Sequence, residues 1–279
     1  MVPGGFRPNV AATATSPAQC TQKHQIQSPN GILGSNKKDY NPHHEPFQYY
    51  ASTANPHHLP PTSAAMIGKQ GDQANHQYDL TDFSAALAAH NMPAVSFLKA
   101  PNYQDGHPGY SDPLDEQRFL TEMINQIQRS RYWKSTAIVI AYDDSDGFYD
   151  HVPPPILNYD GENVAGPVVD GQQWPGDQCA PPVPSTGQTV DPNTGRCGLG
   201  PRLPLLVFSP WAKVNAVDHT LVDTTSILRF IEDRFGGRQR IGGGSFDTRA
   251  GSLTGAFDFS HPHDQRLILD PATGQPTGG

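Results

Sequence analysis

Three short apolar runs in the chain have the length and composition of β-strands. The most apolar is TAIVIAY at 136–142, and the others are AVSFLK at 94–99 and RLPLLVFSP at 202–210. Apolar runs of this length, bounded by turn-forming residues, are typical of strands that are covered on both faces. We therefore predict three strands, with 136–142 buried on both faces inside a parallel sheet.

Apolar residues recur with helical spacing in three other segments, at about 79–91, 113–131 and 221–235. Asp112 followed by Pro113 is a favourable helix start, because aspartate caps the first turn and proline fits its first position. The other predicted helix ends are Asp79 or Thr81 for the first N-terminus and Gly236-Gly237 for the last C-terminus. The residues predicted to face the core are Leu80, Phe83, Leu87, Leu114, Phe119, Met123, Ile124, Ile127, Ile227, Leu228, Ile231 and Phe235.

Strands that alternate with helices predict an α/β fold, with a parallel sheet flanked by helices. Three strands are fewer than open sheets of this class usually contain, so we expect the sheet to be incomplete at its N-terminal side. Residues 1–40 are polar and aperiodic, and we expect a disordered or loop-like segment there. Residues 41–279 are predicted to form part of one domain, with a Pro/Gly-rich insertion at 152–202.

Composition and charge narrow the class of protein. Hydrophobic residues make up 35% of the 279 residues, and 27 glycines with 28 prolines indicate long ordered loops around a globular core. The net charge is −8 without a cluster of Lys and Arg, so a nucleic-acid-binding surface is not expected. No apolar stretch approaches the roughly 20 residues that span a bilayer, so no transmembrane segment is predicted.

The cysteine spacing does not determine whether the protein resides in an oxidising or a reducing cellular compartment. Cys179 and Cys197 flank a Pro/Gly-rich loop, and a disulfide between them and two free thiols are equally consistent with the spacing. A disulfide would indicate an oxidising compartment. The N-terminal residues have neither the charged region nor the apolar region of a signal peptide, which points the other way.

Asp143 and Asp144 follow the predicted strand 136–142 directly. Ligands of open α/β sheets bind at the carboxyl ends of strands, which is where this pair would lie. Adjacent carboxylates repel each other when buried, and a divalent cation relieves that repulsion. A metal site is therefore one interpretation, and a solvated acidic turn is the other, since DSDG is also a good turn sequence.

His43, His44 and His107 are further candidates. A phosphate ester needs hydrogen-bond donors around its oxygens and a proton for its leaving group, and histidine supplies both near neutral pH. Histidines in Pro-rich loops are also common in surface turns, so these residues alone leave the function open. Other chemistries lack their motifs, because the chain has no G-x-S-x-G, no P-loop and no zinc-type cysteine spacing.

Taken together and in order, five segments resemble the bacterial phosphoesterase family of acid phosphatases and phosphocholine-preferring phospholipases C. They are PHHEPFQYY, GHPGYSDPLDEQ, AIVIAYDDSDGFYDHVPPP, GPRLPLLVFSPWAK and HTLVDTTSILRFIEDRF, within about residues 40 to 240. The resemblance implies an alkaline-phosphatase-like fold and a periplasmic or secreted location. It also implies a small phosphate ester as substrate and a divalent metal ion of unknown identity as cofactor.

The resemblance also implies roles for individual residues. Asp143 and Asp144 match the family's metal-binding carboxylates, and Asp-Asp rather than Asp-Glu is similar to the acid phosphatase branch. His43 and His44 match a histidine pair that reaches the active site, and His107 matches the histidine that faces the phosphoryl group.

Two parts of the family pattern are not recognisable in this chain. These are a Glu-Asn pair after the first strand and a Ser or Thr nucleophile at a helix N-terminus. Glu162-Asn163 lies inside the insertion, which is the wrong context. We therefore expect the C-terminal part of a longer enzyme, beginning at an internal or mis-assigned Met.

Three hypotheses follow from the sequence. The first is a metal-dependent phosphomonoesterase that works through a phospho-enzyme intermediate. The second is a phospholipase C, whose choline headgroup would require an aromatic cage to which Tyr49, Tyr50, Tyr103 and Trp174 could contribute. The third is a non-catalytic metal-binding fragment that lacks the nucleophile.

Overall fold

The computed structural model describes residues 4–25, 36–109, 111–145, 148, 151–152, 156–158, 168–169, 172–173, 197–242 and 245–277. The chain divides into two compact units, which are treated separately below. Unit 1 comprises Met1–Lys134 and Gln265–Gly279, and unit 2 comprises Ser135–Asp264. The helices in the described part are α1 (Leu80–Ala88), α2 (Pro113–Arg129) and α3 (Thr225–Phe235). The strands there are β1 (Lys23–Gln25), β2 (Asn36–Lys38), β3 (Ile138–Ala141), β4 (Ile156–Asn158), β5 (Val168–Val169), β6 (Gln172–Gln173), β7 (Cys197–Gly198) and β8 (Leu205–Phe208).

Helix α1 in unit 1 begins at a capping box, as predicted from Asp79. The Asp79 carboxylate accepts a hydrogen bond from the Thr81 N–H at 3.0 Å, and Asp82 reaches back to the Asp79 N–H at the same distance. The same carboxylate also accepts the backbone N–H groups of Gly4 and Phe6, both at 3.1 Å. Asp79 therefore ties the N-terminal segment to the start of the helix.

Helix α2 begins at Pro113 with Asp112 as its N-cap, and this prediction is confirmed. Its buried positions include Phe119, Met123 and Ile127, as the apolar stripe predicted. Leu114 was predicted to face the core, but it is 50% exposed because it lies on the solvent side of the first turn. A small core forms where α2 meets α1. It consists of Leu80, Phe119 and Met123, with Phe83, Leu98, Ala100 and Leu120 packed against it.

Two amide side chains of α2 hold the C-terminal part of unit 1. Asn125 donates to the Leu269 carbonyl at 2.7 Å and accepts the Leu269 N–H at 3.2 Å. Gln128 makes the same two bonds to Leu267, at 2.9 and 2.8 Å. Asn125 and Gln128 lie three residues apart, on one face of the helix. Leu267 and Leu269 lie two residues apart, on one side of an extended segment. Each amide can therefore reach one leucine backbone.

The strand predicted at 94–99 does not form. No described strand pairs with this segment, and Phe97 is 66% exposed. Leu98 and the adjacent Ala100 instead pack against the core between α1 and α2. This part of the chain thus packs against helices through Leu98 and Ala100, which its composition alone did not reveal.

The two strands predicted in unit 2 form, but they are not parallel. β3 and β8 pair in antiparallel fashion, with Ile138 opposite Phe208 and Ala141 opposite Leu205. Neither strand is buried on both faces, since Leu206 is 47% exposed and the positions of β8 alternate in burial. The predictions of a parallel arrangement and of two covered faces are therefore wrong for this pair. All strand pairs in the described part are antiparallel and two-stranded.

Helix α3 begins at Thr225, four residues later than predicted, because Asp223 caps it there. The Asp223 carboxylate accepts the Thr225 N–H at 2.7 Å, and Ser226 accepts the Asp223 N–H at 3.1 Å. The helix ends before Gly236, as predicted. Phe235 is 56% exposed, so its predicted core position is wrong. No helix in the described ranges is long and apolar enough to cross a membrane.

The Asp79→Ala substitution should destabilise unit 1 much more than a simple loss of a helix cap. It removes the cap and leaves the N–H groups of Gly4 and Phe6 without their acceptor, so we expect a loss of about 3 kcal/mol. Asp112→Ala is the matched control, since Asp112 caps α2 through Leu114, and should cost roughly 1 kcal/mol. Urea denaturation of both variants tests this. Equal losses would contradict the tethering role of Asp79.

Candidate functional site

The histidine pair lies on a short 3-10 turn, Pro42–His44, in unit 1. The side chain of His43 lies outside the described part of the structure. The His44 ring is 10% exposed, and its Nδ1 lies 3.1 Å from the carbonyl oxygen of Ala100. Its Nε2 lies 3.4 Å from Oδ2 of Asp105, a carboxylate that is 9% exposed. His44 is thereby fixed against the loop that carries His107.

Hydrogen bonds fix the loop from Asp105 to Ser111. Asp105 Oδ1 accepts the His107 N–H at 2.9 Å, and the His107 carbonyl accepts the Ser111 N–H at 2.8 Å. The Ser111 hydroxyl accepts the Gly106 N–H and donates to the Tyr103 carbonyl. The backbone of His107 is therefore held on both sides.

Gly106 is required at its position in this loop. Its φ angle is +85°, a conformation that residues with a Cβ rarely adopt. A Cβ atom there would also lie 2.9 Å from Oε2 of Glu116. A larger residue would be strained at this φ angle and would push the Glu116 carboxylate aside.

The hydrogen bond to the His107 ring determines its tautomer. His107 Nδ1 accepts the Gly109 N–H at 3.1 Å, so Nδ1 carries no proton in this arrangement. The neutral ring then has its proton on Nε2. A ring in this state donates a hydrogen bond through Nε2, which suits contact with an anionic oxygen.

Burial shifts the pKa of two carboxyl groups near the histidines. Burial raises the pKa of Asp105 to about 6, against the opposing effects of the His107 backbone N–H and the charges of His107 and Lys99. Burial also raises the pKa of Glu45 to about 7, and the negative charge of Asp79 adds to this shift. Both groups therefore titrate in the weakly acidic to neutral range.

Asp143 and Asp144 lie in unit 2, just after β3, and both are exposed. Their oxygen donors suit a hard divalent cation such as Mg²⁺ or Ca²⁺. The described residues contain no group of three or more His, Cys, Asp or Glu side chains that could hold a metal ion. The donor chemistry of the Asp143-Asp144 pair fits a metal. Asp146 and Gly147 lie outside the described part.

Each unit contains some of the predicted residues. His44 and the His107 loop meet within unit 1, and Asp143 and Asp144 lie in unit 2. Tyr103 is 5% exposed and stacks on His24, so it is not placed for an aromatic cage. Tyr49 and Tyr50 are exposed, at 69% and 62%.

The predictions for the cysteine pair and for Trp174 are not addressed by the structure. Cys179, Trp174 and the side chain of Cys197 lie outside the described part. Cys20 is a free thiol that donates to the Phe6 carbonyl at 3.1 Å. Burial raises the pKa of the Cys20 thiol to about 11, so it is a poor nucleophile at neutral pH.

Asp105 and Glu45 were not among the site residues predicted from the sequence. Asp105 had a readable signal, because an aspartate two residues before His107 can accept the N–H of that residue in a local turn. The contact of Asp105 with His44, 61 positions earlier in the sequence, had no signal that could be read from neighbouring residues. Glu45 directly follows the histidine pair, but its burial depends on tertiary packing that a Pro-rich loop sequence does not reveal.

Comparison with known proteins identifies the class of this chain. The model of the Phosphoesterase family matches residues 21–237, which include His43, His44, His107, Asp143 and Asp144. The chain therefore belongs to the Phosphoesterase family, which confirms the resemblance seen in its motifs.

Three relatives illustrate how far the similarity extends. Non-hemolytic phospholipase C of Pseudomonas aeruginosa is 32% identical over 194 residues, or 68% of this chain and 27% of the relative. Non-hemolytic phospholipase C of Burkholderia pseudomallei is 36% identical over 178 residues, or 61% and 23%. Phospholipase C A of Mycobacterium tuberculosis is 31% identical over 183 residues, or 65% and 32%. The matched part of the chain thus spans about a quarter to a third of the length of these relatives.

The Glu45→Gln substitution should stabilise the protein at alkaline pH and flatten its stability between pH 4.5 and 7. The folded state holds the Glu45 proton up to about pH 7, whereas the unfolded state releases it near the ordinary value of 4.5. Stability therefore falls as pH rises through this window, by roughly 1–3 kcal/mol. Gln resembles the protonated form and avoids that loss. Thermal unfolding from pH 4 to 8 measures the difference.

Asp258→Asn is a control that removes the same charge as Glu45→Gln but should change stability at alkaline pH in the opposite direction. The Ser260 N–H and His261 lower the pKa of Asp258, so its charge favours the folded state at neutral pH. Asp258→Asn should thus lower stability at pH 8, whereas Glu45→Gln raises it. If both variants changed stability in the same direction, the assignment of the pH dependence to Glu45 would be wrong.

Proposed function

We propose that this chain forms the metal-binding and phosphoryl-contacting part of a hydrolase that cleaves phosphoric ester bonds, of the phosphomonoesterase type. The observation that carries the proposal is the family match over residues 21–237, which contains all five predicted site residues. The arrangement of His107 supports it independently, because its Nδ1 accepts the Gly109 N–H and its Nε2 is then a donor suited to an anion. The proposed fold of the complete enzyme is the alkaline-phosphatase-like one.

Asp143 and Asp144 are the proposed metal ligands. Their adjacent carboxylates at the end of β3 supply two hard oxygen donors. A divalent cation, when bound, lowers the pKa of an attached hydroxyl and offsets the negative charge of the phosphoryl oxygens. The choice of Asp-Asp favours the phosphomonoesterase type by family resemblance.

The proposed role of the histidines is to contact the phosphoryl oxygens and to protonate the departing ester oxygen. His107 donates through Nε2 to a phosphoryl oxygen or to the departing ester oxygen. Hydrolysis then proceeds in two steps. A hydroxyl of the enzyme attacks phosphorus as the ester oxygen leaves with a proton, and water subsequently cleaves the phospho-enzyme. The residue that provides the hydroxyl is not assigned.

A phospholipase C activity is the second candidate. The names of the three relatives described above favour it, since each is called a phospholipase C. Exposed Tyr49 and Tyr50 close to the histidine turn could contact a choline headgroup, although buried Tyr103 could not. The reaction at phosphorus would use the same residues, and the leaving group would be a diacylglycerol.

Replacing both metal-ligand candidates, in Asp143→Ala/Asp144→Ala, should abolish binding of divalent cations. The substitution removes both anionic ligands, so we expect at least about a 100-fold loss of affinity for Mg²⁺ or Zn²⁺, equivalent to ~2.7 kcal/mol. Isothermal titration calorimetry provides the measurement. Asp258→Ala/Asp264→Ala changes the net charge equally within unit 2 and should bind as wild type does. Unchanged binding by the first variant would remove the basis of the metal assignment.

The two candidate activities predict opposite substrate preferences. With added divalent metal, the phosphomonoesterase proposal expects p-nitrophenyl phosphate to be hydrolysed more than about tenfold faster than p-nitrophenylphosphorylcholine, or ~1.4 kcal/mol in barrier. The reverse preference would establish the phospholipase type. A folded, metal-binding protein that cleaves neither compound would mean that this chain lacks part of the catalytic machinery, as expected of a part of a longer enzyme or of a non-catalytic fragment.

A further inference from the structure

Both ring nitrogens of His44 face oxygen atoms that accept hydrogen bonds. The carbonyl oxygen of Ala100, 3.1 Å from Nδ1, can only accept, so Nδ1 carries a proton. Nε2 then faces Oδ2 of Asp105 at 3.4 Å. At least nine-tenths of each side chain is buried, so solvent screens the electrostatic interaction between them only weakly.

This geometry constrains the protons of the pair. If His44 were neutral, with its proton on Nδ1, the lone pair of Nε2 would point at an ionised carboxylate, which is repulsive. The pair therefore holds one further proton, either on His44 Nε2 or on Asp105. A proton on Nε2 makes His44 an imidazolium and the contact an ion pair.

The surroundings of Asp105 decide where that proton lies. The His107 N–H donates a hydrogen bond to the carboxylate of Asp105, and the positive charge of Lys99 acts on the same group, so both favour its ionised form. The pKa of Asp105 is about 6, so the carboxylate is ionised at pH 7.5. His44 then carries the shared proton.

The other carboxylate oxygen of Asp105, Oδ1, binds the backbone of His107. Oδ1 accepts the His107 N–H at 2.9 Å, and Gly106 between them adopts a φ of +85° that allows the tight turn. A single carboxylate thus touches the ring of one proposed site histidine and the backbone of the other. Asparagine has the same shape, but it lacks the negative charge that holds the proton on His44.

We propose that Asp105 is a positioning residue that keeps His44 in its imidazolium form and fixes the backbone of His107. The fixed positive charge of His44 would favour a phosphoryl group near this loop, and this part of the inference rests on the proposed function. The protonation of His44 does not depend on it. Asp105 acts through the two histidines and is not itself assigned a contact with substrate.

The state of the His44 ring tests the proposal without any assay of activity. In the full chain labelled with ¹⁵N-histidine, with ring signals assigned through His→Gln variants, both His44 nitrogens should be protonated at pH 7.5. In Asp105→Asn, Nδ1 alone should keep its proton. Asp258→Asn is the matched control, because it removes the carboxylate of the exposed Asp258–His261 pair and should leave His44 unchanged.

Two results would overturn the proposal. One is a neutral His44 ring in the wild-type protein at pH 7.5, a measurement that does not require the variant to fold. The other is a folded Asp105→Asn protein whose His44 remains doubly protonated.

An activity measurement separates this proposal from the proposed function. If the wild-type protein hydrolyses p-nitrophenyl phosphate, Asp105→Asn should lower kcat by roughly 100-fold with little change in KM, as expected when the positive charge of His44 near the phosphoryl group is lost. An unchanged kcat would contradict the positioning role. An inactive wild-type protein would contradict turnover by this chain alone, and the His44 ring signals of the wild type and of Asp105→Asn would still decide the role of Asp105.

Discussion

The described fold depends above all on buried aspartates that accept backbone N–H groups. With 35% hydrophobic residues the chain has little apolar surface to bury, and unit 1 contains long stretches without helix or strand. A carboxylate that accepts two or three N–H groups satisfies donors that secondary structure leaves unpaired. Asp79 does this for Gly4, Phe6 and Thr81, and Asp72 does it for Thr62 and Ala74.

The proposed site uses the same interaction for a different purpose. Asp105 fixes the turn before His107 in the way that Asp79 fixes the start of α1, but it also faces a histidine ring. Burial of such carboxylates raises their pKa unless enough donors offset it, and the values near 6 for Asp105 and 7 for Glu45 show that the offset is incomplete. Burial therefore places the pKa of these two carboxyl groups near the histidines in the weakly acidic to neutral range.

Local signals in the sequence predicted much of the helical structure. Asp112-Pro113, Asp79 and Gly236 act within one turn of the helix end they define, so their effect is readable from neighbouring residues. Strand direction is not local. The run at 138–141 looks the same whether its partner is parallel or antiparallel, and the run at 94–99 looks the same whether a strand or a helix covers it.

The candidate site was predictable to a similar extent. Residue types and motif order identified His44, His107 and the Asp143-Asp144 pair, because their chemistry is visible in the sequence. The contact between His44 and Asp105 was not predictable from the sequence, because it requires the turn at 42–44 to pack against a loop some 60 residues later. Family membership supplies roles for motif residues, but the residue that fixes their protonation is found from contacts.

Binding of inorganic phosphate would show whether the His107 loop contacts a phosphoryl group. Inorganic phosphate would be titrated into the ¹⁵N-histidine-labelled protein in the presence of Mg²⁺, with the ring signals of His107 and exposed His261 followed together. We expect a saturable shift of the His107 Nε2 signal and none at His261. A His107 signal that stayed constant, or moved no more than that of His261, would mean that the loop does not bind the phosphoryl group.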